Sequence, residues 1–292
     1  MTESPHHLLI TGCNGQVGHE LAALDWGDWR VTCATREDLD LSDVDAVHDR
    51  VRRLAPDMVI NAAAYTAVDR AESEPDLAYR INTEAPAAIA GALATGDGLL
   101  IHFSTDYVFD GAAHRPYRET DSTAPTGVYG ASKLEGERAI AVSGCDYLVL
   151  RTSWVYSHRG ANFLLTMLRL AAQRDELYVV ADQHGTPTYA FDLAVMTRQI
   201  ARQVEARRDP SRLGLFHLGN TGETTWHGFA SEIMRRTGNE GVAVRPISTA
   251  DFPTPARRPA YSVLDKTRAS RAFDMELPHW SDGLDRCLAR LV

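Results

Sequence analysis

The sequence predicts an α/β fold built on a parallel, doubly wound sheet, and three observations predict it. Short apolar runs alternate with longer segments whose apolar residues recur every three or four positions. Turns rich in Gly, Pro and Asp separate them. Successive apolar runs also lie too far apart in sequence for hairpins, so the return connections must be helices, with right-handed crossovers.

The elements follow in order. Leu8-Leu9-Ile10, closed by Thr11-Gly12, reads as the first strand, and the segment from Gln16, with Val17, Leu21 and Leu24, as the first helix. Further strands are expected over 31–34, 58–62, 99–103 and 147–150, with helices over 44–54, 82–93 and 129–142 between them. From about Thr152 the alternation weakens. Helical patterns remain over 163–172, 192–205 and 225–236, with short apolar runs over 177–180 and 215–218. The whole reads as a Rossmann-type doubly wound parallel sheet with a smaller C-terminal substrate lobe. Residues 1–152 would form a dinucleotide-binding domain, and 153–292 a mixed region that completes the sheet and forms the lobe, with a soft, interleaved boundary.

Composition narrows the partners. The 292 residues are 44% hydrophobic and 24% charged, as in an ordinary globular protein. A net charge of −9 leaves too few cations to neutralise phosphates along a nucleic acid. Cys13, Cys33, Cys145 and Cys287 form no Cys-x-x-Cys pair, which argues against zinc and for buried thiols in a reducing compartment. No apolar stretch is long enough to span a membrane, and residues 1–7 lack the pattern of a cleavable leader. A cytoplasmic protein is expected.

Two patterns carry chemistry. Gly12-Cys13-Asn14-Gly15-Gln16-Val17-Gly18, between the first strand and the first helix, lets backbone N–H groups approach a pyrophosphate at a helix N-terminus. At the end of the second strand, where an NAD-selective fold places an acid, stands Ala34-Thr35-Arg36. Arg36 suits a ribose 2′-phosphate, so NADPH is the expected cofactor with NADH left open, and Asp40-Leu41 would hold the adenine end. Asn61-Ala62-Ala63-Ala64 closes the third strand with residues small enough for a nicotinamide ribose to lie close to the backbone.

The second pattern is Tyr129-Gly130-Ala131-Ser132-Lys133, which sets a phenol and an ammonium on one face of a helix. Ser104-Thr105 ends the fourth strand, at the carboxyl edge where open α/β sheets hold ligands. A ketone that receives a hydride must then be protonated. A phenol near pKa 10 is a poor acid at neutral pH, and the Lys133 cation together with an oxidised nicotinamide would favour the phenolate. The Thr105 hydroxyl would orient the carbonyl oxygen. The catalytic set expected is Thr105, Tyr129 and Lys133.

These residues sit in longer motifs that resemble the dTDP-4-dehydrorhamnose reductases. The motifs run from Asn61-Ala62-Ala63-Ala64-Tyr65-Thr66 through Ser104-Thr105-Asp106-Tyr107-Val108-Phe109 and Val128-Tyr129-Gly130-Ala131-Ser132-Lys133. They continue in Arg151-Thr152-Ser153-Trp154, Asp182-Gln183-His184-Gly185-Thr186-Pro187-Thr188 and Pro253-Thr254-Pro255-Ala256-Arg257-Arg258-Pro259. The resemblance implies proton donation by Tyr129, with Lys133 supporting cofactor and phenolate, and cofactor contacts at Gly15, Gln16, Val17, Ala64, Tyr65 and Thr66. Ala63 belongs to the same cofactor set. Substrate contact is implied for Thr105, Asp106 and Trp154.

The resemblance implies reduction of dTDP-4-dehydro-L-rhamnose to dTDP-L-rhamnose, and a monomer or weak homodimer is expected. The alternatives are a related dTDP-4-keto-deoxysugar reductase of 6-deoxytalose or streptose type and a non-catalytic regulatory relative. Some family members also bind magnesium at a dimer contact through two glutamates. Glu20 matches one, whereas Phe191 stands where the other is expected, so neither the metal nor that dimer is expected here.

Overall fold

The computed structural model describes residues 6–291. Its central sheet contains β1 (His7–Thr11), β2 (Arg30–Ala34), β3 (Met58–Asn61), β4 (Leu99–Thr105), β5 (Asp146–Thr152) and a sixth strand, Gly214–His217. All pair in parallel, in the order β2, β1, β3, β4, β5, then Gly214–His217. The order reverses direction between β1 and β3, which opens a crevice beyond their carboxyl ends where doubly wound sheets bind ligands.

Side-chain alternation fills both faces of this sheet. Leu8, Ile10, Met58, Ile60, Leu99 and Ile101 point into one core, packed by Leu21 of α1 (Gln16–Ala23) and by Leu193 and Ile200 of the helix Ala190–Ala206. Leu9, Val59, Leu100 and Val149 point into the other. Val47 and Val51 of α2 (Val44–Leu54), Ile89 of the helix Ala85–Leu93 and Ile140 of the helix Val128–Ala141 cover them. α2 begins where the Asp43 carboxylate accepts the Ala46 N–H, and it ends at Ala55 in the left-handed region with φ of 40°.

A third core lies beyond β5. Tyr156, Leu164, Leu177, Tyr189, Phe229, Ile233, Trp280 and Leu284 form it, drawn from segments on either side of the Ala190–Ala206 helix and the sixth strand. The run at 177–180 does not extend the main sheet. It lies in the strand Glu176–Val180, which pairs in parallel with Ala243–Ile247 as a separate two-stranded sheet. Between 63 and 81 no element was expected, and the chain there forms helices Val68–Ala71 and Pro75–Tyr79 and enters a π-helical turn, Arg80–Glu84, where a helix over 82–93 was expected to begin. Helices of four or five residues are too short to display a period. The terminal helix Trp280–Leu288 was also missed. Of the four thiols, Cys13, Cys145 and Cys287 are buried as expected, but Cys33 is exposed, because β2 lies at the sheet edge. Among the described residues no helix is long and apolar enough to cross a membrane.

Candidate active site

The glycine turn is built by close approach. Gly12 has φ of +71°, and a Cβ there would sit 2.8 Å from the Ala63 backbone, so only glycine lets the β1 turn meet the end of β3. Gly15 caps α1 without a side-chain bond, leaving the first N–H groups of the helix for a ligand. Gly18 does different work from that expected. It does not line the cleft; a Cβ on it would lie 2.2 Å from the Gly12 carbonyl, so it packs the helix onto the turn.

A cleft of about 830 Å³ opens over this turn. Gly12, Gly15, Gln16, Val17, Arg36, Asp40, Leu41, Ala63, Ala64, Tyr65 and Thr66 line it, and so do Thr105, Asp106, Tyr129, Lys133 and Trp154. One cavity therefore collects every expected site residue except Gly18. At one end, exposed Arg36 donates to Asp40 at 3.3 Å. Asp40 also accepts from the Ser42 N–H and hydroxyl, which holds it in its own turn. Asn82 of the π-helical turn grips the loop after β3, accepting from the Tyr65 N–H at 2.9 Å and donating to the Tyr65 carbonyl and the Ser132 hydroxyl. The bidentate Arg258 to Asp69 pair, both bonds 2.9 Å, ties the 253–259 motif to the same loop.

At the other end, Tyr129 and Lys133 share one face of the Val128–Ala141 helix. Burial pushes the Tyr129 phenol up to about 12, while the neighbouring Thr105 hydroxyl pulls it down. Lys133 makes no hydrogen bond to that phenol. Its Nζ turns to the sheet, donating to the Phe103 carbonyl at 2.6 Å and lying 3.0 Å from His102 Nε2. Burial lowers Lys133 to about 8, partly offset by Glu137. Asp106, 2% exposed, rises to about 6 through burial, although the nearby Ser262 and Thr105 hydroxyls pull it down.

Sequence reasoning missed a buried polar layer beneath these groups. Ser104 and Arg151 are cross-strand neighbours, and both engage Glu137 of the Val128–Ala141 helix. His102 interrupts the apolar run over 99–103, which was the available signal. Trp226 was missed as well. It lines the cleft and stacks on Trp154 with ring centroids 3.6 Å apart and planes 6° apart. Trp154 is held at φ of +47°, a costly conformation for a bulky residue.

The residues around Glu20 do not fit a cation. Glu20 accepts from Arg290 at 2.8 Å, and the same guanidinium lies 5.4 Å from the Phe191 ring centroid. Neighbouring Asp192 points elsewhere, to Arg286 and Asn220.

The family model described as the RmlD substrate binding domain matches residues 6–292. The dTDP-4-dehydrorhamnose reductase of Burkholderia thailandensis is 44% identical over 98% of this chain and 99% of its own. The chain belongs to the dTDP-4-dehydrorhamnose reductase family. Within that family, the crystal structure of a Clostridium acetobutylicum dTDP-4-dehydrorhamnose reductase superposes with a TM-score of 0.91 at 39% identity, covering 98% of this chain and 99% of that one. A Bacillus anthracis family member, solved in complex with NADP, matches with the same TM-score at 37% identity over 98% of this chain and 99% of that chain.

Proposed function

We propose that this chain reduces the 4-keto group of dTDP-4-dehydro-L-rhamnose, giving dTDP-L-rhamnose, with NADPH as cofactor. The observation that carries the reading is the convergence of Thr105, Tyr129 and Lys133 in the cleft that also contains the glycine turn. NADPH, when bound, supplies the hydride. Gly12 and Gly15 fit its pyrophosphate, since the turn they form presents the first N–H groups of α1 with no capping side chain in the way.

The residues of the chain do the rest. Thr105 donates to the carbonyl oxygen and polarises it; Tyr129 protonates the alkoxide that forms. Lys133 supports the phenolate and the cofactor. Arg36 meets the ribose 2′-phosphate as a charge-assisted donor. Asp106 and the Trp154–Trp226 stack hold the sugar nucleotide, an aromatic face suiting the apolar side of a sugar ring. In this reading residues 1–152 bind the dinucleotide, and 153–292 complete the sheet and hold the dTDP-sugar. We place the enzyme in the cytoplasm as a monomer or weak homodimer that acts without a divalent metal.

Incubation with NADPH and dTDP-4-dehydro-L-rhamnose tests the activity. NADPH oxidation that requires the sugar nucleotide supports it; no oxidation removes it.

A further inference from the structure

The fold places three polar side chains in one row. Thr11 of β1 pairs with Asn61 of β3, and Asn61 pairs with His102 of β4, so all three point to the same face of the sheet. That face carries Leu9, Val59 and Leu100 two residues earlier, and the Val128–Ala141 helix covers it. The row ends on Lys133. Thr11 donates to Asn61 Oδ1 at 2.6 Å, Asn61 Nδ2 lies 3.0 Å from His102 Nδ1, and His102 Nε2 lies 3.0 Å from Lys133 Nζ.

Hydrogen-bond polarity fixes the protons along this row. The Ala63 backbone N–H donates to Asn61 Oδ1 at 3.2 Å, and only an oxygen can accept it. Asn61 therefore presents its NH₂ to His102, and Nδ1 must accept. A neutral imidazole with Nδ1 as acceptor carries its one proton on Nε2. His102 is wholly buried, and that burial, the largest cause, holds it neutral. Its Nε2–H thus faces Lys133 Nζ. An ammonium has only donors and cannot accept that proton, whereas an amine can.

We propose that Asn61 and His102 form a tautomer lock that favours the amine form of Lys133 in the cofactor-free protein, coupling binding of the phosphate-bearing dinucleotide to proton uptake by Lys133. The inference rests on the cofactor reading of the cleft. The phosphates bring negative charge to a cleft that Lys133 lines, which favours the ammonium. The incoming proton comes from solvent. The ammonium keeps its bond to the Phe103 carbonyl and gives up the contact with His102. The other titratable groups facing Lys133 are Tyr129 and Glu137 on its own helix. Glu137 favours the ammonium, but Arg151 and Ser104 already occupy its oxygens. His102 and Asn61 are positioning residues acting through Lys133.

The test is calorimetric titration of NADPH into the protein in two buffers of different ionisation enthalpy, which reads affinity and proton uptake together. Uptake occurs between the free and bound pKa of Lys133, so it is expected as a large fraction of one proton at about pH 8.5 and close to none at about pH 6.5. Asn61→Asp gives His102 an acceptor for Nδ1–H, reverses the tautomer and lets Nε2 accept from the ammonium. His102→Gln offers an amide oxygen to Nζ. Each variant, with its fold checked by circular dichroism, should lose at least half of the uptake at about pH 8.5. In the free wild-type protein, competitive acetylation read by mass spectrometry should show Lys133 titrating at or below about pH 8. Binding without proton uptake, or uptake unchanged in both variants, overturns the lock alone. Absence of NADPH binding overturns the cofactor reading and the coupling with it.

Discussion

At the scale of single residues, the proposed reaction depends on a tyrosine whose proton reaches a new alkoxide. Tyr129→Phe removes that proton and little else, since the ring keeps its edge contact with Tyr107, centroids 5.5 Å apart. Turnover should fall by about 10²-fold or more, measured by NADPH oxidation, with NADPH affinity nearly unchanged. Arg36 acts at the opposite end of the cleft. Arg36→Ala should weaken NADPH use by about 1.5–3 kcal/mol and leave NADH use almost untouched, as comparison of kcat/KM for the two cofactors will read. Tyr129, Lys133, Thr105 and the glycine turn were legible because their spacing encodes their geometry. His102, Asn61 and Glu137 were not, because their roles arise from strand register, which brings together residues dozens of positions apart.

The elements explain how the cleft wall is held. Trp154 follows β5 in a left-handed conformation and stacks on Trp226, the first residue of the helix Trp226–Arg236. Gly185 backs it; a Cβ there would lie 2.3 Å from the indole. Gly185→Ala must push the indole toward the cleft or unstack it. Thermal unfolding should register a loss of about 1–3 kcal/mol, and KM for the sugar nucleotide should rise while NADPH affinity holds. The alternating first half of the chain announced its strands and helices through their periods. The second half did not, because its short strands pair in two-stranded sheets and its helices divide between two cores. A helix pattern can be read locally, but the core it serves cannot.

For the whole molecule, the doubly wound sheet supplies a cofactor crevice at its strand reversal, and the segments beyond β5 build a second wall around it. Arg290, near the C-terminus, closes the structure against α1 by neutralising Glu20 and covering Phe191. With that carboxylate already paired, activity should survive EDTA, and the sedimentation behaviour should not respond to magnesium. Loss of activity on chelation, restored by magnesium, would require ligands other than these. The most direct test of the central claim is the identity of the product made from dTDP-4-dehydro-L-rhamnose and NADPH, determined by NMR. The account predicts dTDP-L-rhamnose, formed in proportion to NADPH consumed; an unchanged substrate, or a product with the opposite configuration at the reduced carbon, would contradict it.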